Sequence, residues 1–188
     1  MKDHYGGGRK RDMKRDKGFT LIELLVTLAV ATILVFVAVP SFGGFIRNSQ
    51  MTTQANALFF SLQYAKSEAA NRNIRVTICA SSDGASCSSS PNWHTGWIIF
   101  TDDTGVSGVY DGDDRMLKKQ RELTGQSTLI SDGVGDVQFI SRGWRHDYQS
   151  AGASDITFTL DHPECTGKQK KSITVSIMGS IASDKEDC

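Results

Sequence analysis

A single acidic residue interrupts an apolar run near the N-terminus of this 188-residue chain. From Phe19 to Val39 the only charged side chain is that of Glu23. A carboxylate in apolar surroundings is costly unless a cation neutralises it, so an ionisable residue in such a segment is a functional candidate. The chemistry predicted for Glu23 is therefore charge pairing with a cationic partner.

The segment around Glu23 has the length and flanking charge of a membrane helix. About 20 apolar residues are enough to cross a bilayer. Residues 1–18 carry seven cations and three anions, which predicts that they stay in the cytoplasm and that the chain after Val39 lies outside the inner membrane. Two other interpretations are a secretory signal, whose apolar core is normally shorter, and a plain anchor. The remaining chain is mildly acidic, which argues against nucleic acid as its main partner.

The residues from Lys17 to Glu23 read Lys-Gly-Phe-Thr-Leu-Ile-Glu, and this motif resembles the type IV pilin superfamily. The resemblance implies that a prepilin peptidase removes residues 1–18 as a leader, cleaving between Gly18 and Phe19, and N-methylates Phe19. Glu23 would then lie nearly one helical turn from a cationic amine. Within one subunit Glu23 could neutralise its own Phe19 amine. The resemblance implies instead that it neutralises the amine of a neighbour and so registers assembly.

The helix predicted from residue 19 has two different halves. Residues 19–39 are apolar all round, whereas residues 40–73 are amphipathic, with apolar side chains at three- and four-residue spacing. Pro40 lies at the border and predicts a kink, because it lacks an N–H group. The helix should end near residues 71–73. The stripe predicted to face a core consists of Ala55, Leu58, Phe59, Leu62, Ala65 and Ala69.

Residues 74–188 predict a β-rich headpiece, periplasmic and later extracellular. Short β-branched or aromatic runs are separated by Gly, Asp and Ser clusters. The fold class is therefore α+β: a long N-terminal helix, transmembrane and then amphipathic, packed on an antiparallel β-sheet. The predicted strands cover residues 74–80, 96–101, 127–131, 136–141, 155–160 and 172–178.

Three segments, one at the end of the helix and two in the headpiece, place the chain in a narrower part of this superfamily by resemblance. Residues 64–79, 96–103 and 111–120 are similar to the GspH/FimT family of minor pilins and pseudopilins. The resemblance implies a structural protein rather than an enzyme: a minor type IV pilin, first in the inner membrane and then in a pilus at the cell surface. Its implied partners are the prepilin peptidase and the other major and minor pilins. The alternatives are a DNA-receptor pilin of natural transformation and a GspH-type pseudopilin of type II secretion.

DNA binding is the weaker of these predictions. FimT-like relatives follow the last strand with an arginine-rich tail, but the corresponding residues 179–188 contain no arginine and are acidic. Other cations lie near aromatic residues, a composition that binds single strands in some proteins and is a solvated loop in most. The candidate DNA contacts are Arg142, Arg145, Lys168, Lys170 and Lys171.

The remaining reactive residues predict disulfides and no active site. Four cysteines in an oxidising compartment allow three pairings, of which Cys79–Cys87 with Cys165–Cys188 is favoured because each bond closes a short loop. The aspartates of residues 102–114 do not match calcium-loop spacing, so solvated turns are the favoured interpretation. We find no zinc-ligand spacing and no catalytic constellation, which predicts a protein without metal or cofactor.

Overall fold

The computed structural model describes residues 18–103 and 106–188, except the side chains of residues 37–41. The predicted leader therefore lies almost wholly outside the described residues. One α-helix, α1 (Leu21–Arg72), precedes a β-rich region that also contains a short 3-10 helix, Trp93–Thr95. The strands are β1 (Val76–Ala80), β2 (Gly96–Thr101), β3 (Met116–Arg121), β4 (Thr128–Ser131), β5 (Asp136–Phe139), β6 (Ile156–Asp161), β7 (Lys170–Val175) and β8 (Ile181–Glu186).

The chain divides into two compact units, Met1–Gly44 and Phe45–Cys188, and α1 contributes to both. The helix includes Pro40, where the kink remains a prediction. Among the described residues, no helix combines the length and the apolarity that a membrane crossing requires. The second unit, Phe45–Cys188, is called the headpiece below.

The headpiece part of α1 forms because its apolar residues fall on one face. Met51, Ala55, Leu58 and Leu62 are buried, and the buried stripe continues through Ala65 and Ala69 as predicted. Phe59 is only partly buried and lies at the margin of this core. The helix ends at Arg72, and Asn73 follows with φ 55°, the left-handed conformation that commonly closes a helix.

Two antiparallel four-stranded sheets cover this face of the helix. Their strand orders are β3-β2-β1-β5 and β4-β6-β7-β8. The α+β class is confirmed, but two strands were not predicted: no element was predicted over β3, and β8 was interpreted as an acidic tail. Both strands lie at a sheet edge, and three of the six residues in each are charged, so they lack the apolar alternation by which strands are recognised.

One continuous core joins α1 to the inner faces of both sheets. The edge-to-face pair of Trp93 and Phe158, with ring centroids 4.9 Å apart, lies within it. A second, smaller cluster covers the outer face of the first sheet, where Ile98 and Phe100 pack beneath loop residues. Because both faces are covered, β1 and β2 are buried along their whole length, whereas β6 alternates.

Two disulfides bracket the loops of the headpiece. Cys79 pairs with Cys87 and Cys165 pairs with Cys188, which is the sequence-local connectivity. The first fastens residues 80–86 to β1 over the smaller cluster. Near the second, Arg47 of α1 forms an ion pair with Glu164 and also donates to the Glu164 carbonyl oxygen at 2.8 Å.

Arg145 connects the two sheets. It bridges to Phe139 of β5, and the residue is only 4% exposed; its guanidinium donates to the carbonyl oxygen of Ser154 at 2.6 Å. Its backbone N–H donates to Ile177 O at 3.1 Å, beyond the end of β7, and its guanidinium pairs with Asp147. The residue therefore holds the loop after β5 against the second sheet.

Gly179 marks the closest approach between backbone segments in this region. Its φ is +71°, and a Cβ there would fall far inside van der Waals contact with the carbonyl oxygen of Gly143. The Gly179 carbonyl oxygen accepts from Lys66 Nζ of α1 at 2.8 Å. A side chain at residue 179 would thus separate the helix, the β7–β8 turn and the loop after β5.

We expect Gly179→Ala to lower the free energy of unfolding by at least about 2 kcal/mol, because the left-handed backbone and the clash both oppose a Cβ. Thermal unfolding of the full chain in detergent micelles measures the effect. Gly152→Ala is the matched control, since Gly152 has φ +86° but open space around its Cβ position. Equal losses for the two variants would contradict the clash.

We expect Arg145→Met to cost about 2–3 kcal/mol of stability, because it leaves buried carbonyl acceptors without a donor. The control is Arg142→Met: Arg142 is exposed and only stacks over the Trp144 ring at 5.8 Å, so its loss should cost less than about 1 kcal/mol. Chemical denaturation followed by near-UV circular dichroism distinguishes them. Equal denaturation midpoints for the two variants would contradict the bridging role of Arg145.

Candidate functional site

The start of α1 is capped by Thr20. Thr20 Oγ1 accepts a hydrogen bond from the backbone N–H of Glu23 at 3.3 Å, and Thr20 O accepts from Leu24 N–H at 3.1 Å. A threonine three residues before a glutamate is the capping-box spacing. Sequence reasoning missed this role of Thr20, although the Thr-x-x-Glu pattern was visible.

The predicted cleavage point lies just outside the helix. Gly18, Phe19 and Thr20 precede α1 and are exposed, with Phe19 at 84%. No heavy atom lies within 4 Å of a Cβ built on Gly18, so packing within the described chain does not require glycine there. The bond between Gly18 and Phe19 is therefore in non-helical, accessible backbone, the form in which a peptidase can bind it.

The Glu23 carboxylate is not needed by the helix that carries it. The cap uses the backbone N–H of Glu23 rather than its side chain. Among the described residues, no hydrogen bond or ion pair engages this carboxylate, and the residue is exposed. Its charge is thus available to a cationic group outside the described chain.

The first part of α1 has no apolar partner within the described residues. Its large apolar side chains are half to three-quarters exposed, whereas an ordinary surface helix buries one face. An exposed apolar surface of this extent marks a contact with a membrane or with other proteins. The residues are Leu21, Ile22, Leu24, Leu25, Val26, Leu28, Val30, Ile33, Leu34, Val35 and Phe36.

The five candidate DNA contacts do not form one exposed basic surface. Arg142 and Lys168 are exposed and Lys170 is half-buried, but Arg145 and Lys171 are each 4% exposed. Burial and the positive charge of Lys185 lower the pKa of Lys171. Arg145 donates to a backbone carbonyl and Lys171 lies within the strand β7, so these two side chains are not on the exposed surface, and DNA contact by the five residues stays a prediction.

The acidic segment after β2 differs from a simple solvated turn. Asp102 is fully buried, and its Oδ2 accepts from the Thr77 hydroxyl at 2.6 Å, from Gln138 Nε2 at 2.5 Å and from Gly108 N–H at 2.7 Å. It therefore anchors the loop to β1 and β5. Across residues 18–103 and 106–188, no three His, Cys, Asp or Glu side chains converge to hold a metal ion.

Two protein-family models match the chain, one over the headpiece and one over the start of α1. The family model of the type II transport protein GspH matches residues 54–179, and the prokaryotic N-terminal methylation motif matches residues 13–39. Among curated proteins, none matches the chain significantly.

Three solved structures are similar to the chain. Two are crystal forms of the type IV minor pilin FimU of Pseudomonas aeruginosa, at 22% identity. The P21 form has a TM-score of 0.57 and covers 74% of this chain and 92% of FimU, and the P65 form has 0.53, 71% and 91%. The minor pseudopilin EpsH of the Vibrio cholerae type 2 secretion system has 12% identity, a TM-score of 0.47, and coverage of 72% and 97%. At these identities the FimU structures establish the shared fold.

The two family models match two different parts of the chain. A methylation motif implies a membrane-anchored precursor that later joins a pilin filament, and the GspH model spans more than half of the sequence, from the amphipathic part of α1 to the turn after β7. Proteins of this kind assemble with other pilins and are not enzymes. The chain belongs to the GspH family of minor pilins and pseudopilins.

Proposed function

We propose that this chain is a minor type IV pilin that supports pilus biogenesis from within the filament or at its tip. The observation that carries the proposal is the match of residues 13–39 to the N-terminal methylation motif, directly before a GspH headpiece. FimU, whose fold the headpiece shares, is itself a type IV minor pilin. The two disulfides of the headpiece are consistent with an oxidising compartment outside the cytoplasm.

The proposed sequence of events follows from the residues at the start of α1. Residues 19–39 anchor the precursor in the inner membrane as a single span, with residues 1–18 in the cytoplasm and the headpiece outside. Prepilin peptidase cleaves between Gly18 and Phe19 and methylates the new amine. The apolar surface of α1 then leaves the lipid and packs against the helices of other pilins.

Glu23 gives this assembly its register. An unpaired carboxylate inside an apolar helix bundle is strongly disfavoured, whereas one that meets a Phe19 ammonium is tolerated. The penalty applies to every misaligned arrangement of two helices, so the charge pair selects one longitudinal position. Packing of apolar side chains without this pair would hold the helices together with little preference for register.

A second candidate, the GspH-type pseudopilin of type II secretion, is favoured by the description of the matching family model. Deleting the gene in the source organism separates the two. Loss of surface pili with normal protein secretion supports the minor pilin, and normal piliation with retained secretion substrates inside the cell supports the pseudopilin.

We expect Glu23→Gln to leave processing and membrane association intact but to reduce incorporation into sheared filaments at least about tenfold, because it removes the charge and keeps the side-chain size. Quantitative immunoblotting of filament and membrane fractions measures this ratio. Incorporation at the wild-type level would refute the registering role of Glu23.

Thr20→Val serves as the matched control for that experiment. It removes the oxygen that accepts from Glu23 N–H but leaves the Glu23 carboxylate in place. We expect it to weaken the helix start by about 1 kcal/mol and to change incorporation far less than Glu23→Gln does. A larger defect for Thr20→Val would assign the phenotype to the cap.

A further inference from the structure

The two disulfides of the headpiece differ in how accessible their sulfur atoms are. Cys79 is fully buried in β1, an inner strand of its sheet, and its partner Cys87 is partly buried against the smaller apolar cluster. Cys165 is half-buried and Cys188 is exposed. Thiol–disulfide exchange begins when a thiolate approaches one sulfur atom of the bond, so Cys165–Cys188 is the accessible disulfide.

The leaving group also favours exchange at Cys165–Cys188. Attack on Cys87 would expel the thiolate of Cys79 into the smaller apolar cluster, where a charged sulfur is poorly solvated and therefore leaves slowly. Attack on Cys188 expels the thiolate of Cys165, which water can reach. Accessibility and leaving-group solvation thus distinguish the two bonds in the same direction.

A cavity of about 420 Å³ lies beside the accessible disulfide. On one side of it the loop that carries Cys165 is held in place, since Cys165 N–H donates to His162 O at 2.8 Å and Glu164 forms an ion pair with Arg47 of α1. The cavity therefore has a fixed wall against which a polypeptide segment can lie next to the sulfur atoms. Its lining residues are Thr128, Asp161, His162, Pro163, Cys165 and Cys188.

In the part of the chain that the structure describes, few side-chain contacts besides the disulfide hold β8 in place. β8 is the end strand of its sheet, and of its six residues only Ile181 is partly buried against the core. The start of the strand is anchored through the preceding turn, because Gly179 O accepts from Lys66 Nζ at 2.8 Å. At the other end, the disulfide ties Cys188 to the loop between β6 and β7, and Cys188 N–H donates to Gly167 O at 3.0 Å.

The charges on β7 and β8 add little to this attachment. Lys170 is opposite Glu186, but Lys171 is opposite Lys185. Opposite charges across a strand pair stabilise it and like charges destabilise it by similar amounts, so the two effects oppose each other. The backbone ladder and the disulfide therefore account for most of the attachment of β8 beyond Ile181.

We propose that Cys165–Cys188 is a thiol–disulfide exchange site for a protein dithiol, and that its reduction releases β8 from β7. The dithiol is a Cys-x-x-Cys pair, in which a lowered thiol pKa supplies the attacking thiolate. The cavity beside the disulfide admits the segment that carries this thiolate. Cys79–Cys87 stays oxidised, so residues 80–86 remain fastened to β1.

The exchange takes two steps. The attacking thiolate forms a bond to Cys188 Sγ while the bond between the two cysteines breaks, and Cys165 leaves as a thiolate. The second thiol of the pair loses its proton, attacks the mixed disulfide and expels Cys188 as a thiolate. Cys165 and Cys188 each take up a proton, which balances the two that the dithiol gives up, and the dithiol is oxidised to a disulfide. A protein disulfide of the same class reverses both steps and closes the bond again.

Release of β8 uncovers a sheet edge. Fraying begins at Cys188 and stops near Ile181, where the core contact and the anchored turn hold the strand. The backbone groups of β7 that bonded to β8 are then unpaired, beside the buried Ile173 and Val175. Such an edge accepts another strand, so the redox state of one disulfide decides whether this side of the second sheet is closed.

The inference goes beyond the proposed function and does not depend on it, because exchange and strand release belong to the headpiece. A chain that never enters a filament would still show both. An inert disulfide would leave assembly through α1 and Glu23 untouched.

Selective reduction tests the exchange site. The full chain in detergent micelles is incubated with reduced thioredoxin, a Cys-x-x-Cys protein, and the thiols that form are alkylated and assigned by peptide mass spectrometry. We expect Cys165 and Cys188 to be alkylated at least about 100-fold faster than Cys79 and Cys87. Equal rates, faster alkylation of Cys79 and Cys87, or no reduction of the folded chain would overturn the proposal.

A variant that fills the cavity tests whether a protein binds there. Thr128→Trp places a large ring in the cavity, and we expect it to slow reduction by thioredoxin at least about tenfold but reduction by the small molecule dithiothreitol less than about twofold. Ile130→Trp is the matched control, since Ile130 is exposed on the same strand but does not line the cavity. Equal slowing of both reductants, or by both variants, would count against a protein-binding cavity.

Hydrogen exchange followed by mass spectrometry tests the release of β8. After selective reduction we expect the amides of residues 182–187 to exchange at least about tenfold faster, while those of β1 and β2 are unchanged. Unchanged protection of β8 would show that the disulfide does not hold the strand. Loss of protection throughout the headpiece would show that it stabilises the whole fold, and either result overturns the proposal.

A charge substitution tests why β8 leaves. Lys185→Glu places an opposite charge across from Lys171, and we expect reduction to accelerate exchange of β8 at least about threefold less than in wild type. Lys119→Glu makes the same change in net charge at an exposed position of β3, in the other sheet, and should release β8 as wild type does. Equal acceleration in the two variants would contradict weak attachment through the like-charge pair.

Discussion

The headpiece depends on one apolar stripe of α1. Met51, Ala55, Leu58 and Leu62, followed by Ala65 and Ala69, fill the space between the helix and the inner faces of both sheets. Neither sheet could leave its inner face in water, since Trp93, Phe139 and Phe158 project there. One helix therefore covers the inner faces of two sheets in a single core.

The same helix is used in the opposite way before the headpiece. From Leu21 to Phe36 its apolar side chains are exposed on all sides. No other part of the described chain covers this apolar surface. A protein that keeps such a surface must place it in lipid or against other helices. The chain belongs to a family whose precursors are anchored in a membrane and later join a filament, and these two environments account for the exposed apolar surface. The Thr20 cap lets the helix begin without using the Glu23 carboxylate, which leaves that charge free for the pairing that we propose.

The charged residues of the headpiece fall into a buried group and an exposed group, and each group contains both acidic and basic side chains. Arg145 and Asp102 are buried and hold loops to the ends of strands, where each satisfies or uses backbone groups that would otherwise be unpaired. Lys119, Arg121, Asp184 and Glu186 are exposed on β3 and β8, which are end strands of the two sheets. The buried group holds the two sheets and their loops together, whereas the exposed group is in contact with solvent.

The sequence by itself determined the elements whose signals are local. The methylation motif, the buried stripe of α1, its end near Arg72 and six of the strands are properties of nearest neighbours and of hydrophobic period, and these were predictable. Tertiary structure decided what depends on distant partners. Arg145 and Lys171 looked like accessible cations, yet backbone acceptors and strand packing bury them. The strands β3 and β8 have no apolar alternation, and β2 and β7 respectively define them by pairing. The physical reason is that burial and backbone pairing belong to the assembled sheet, whereas periodicity and capping are already present in the chain.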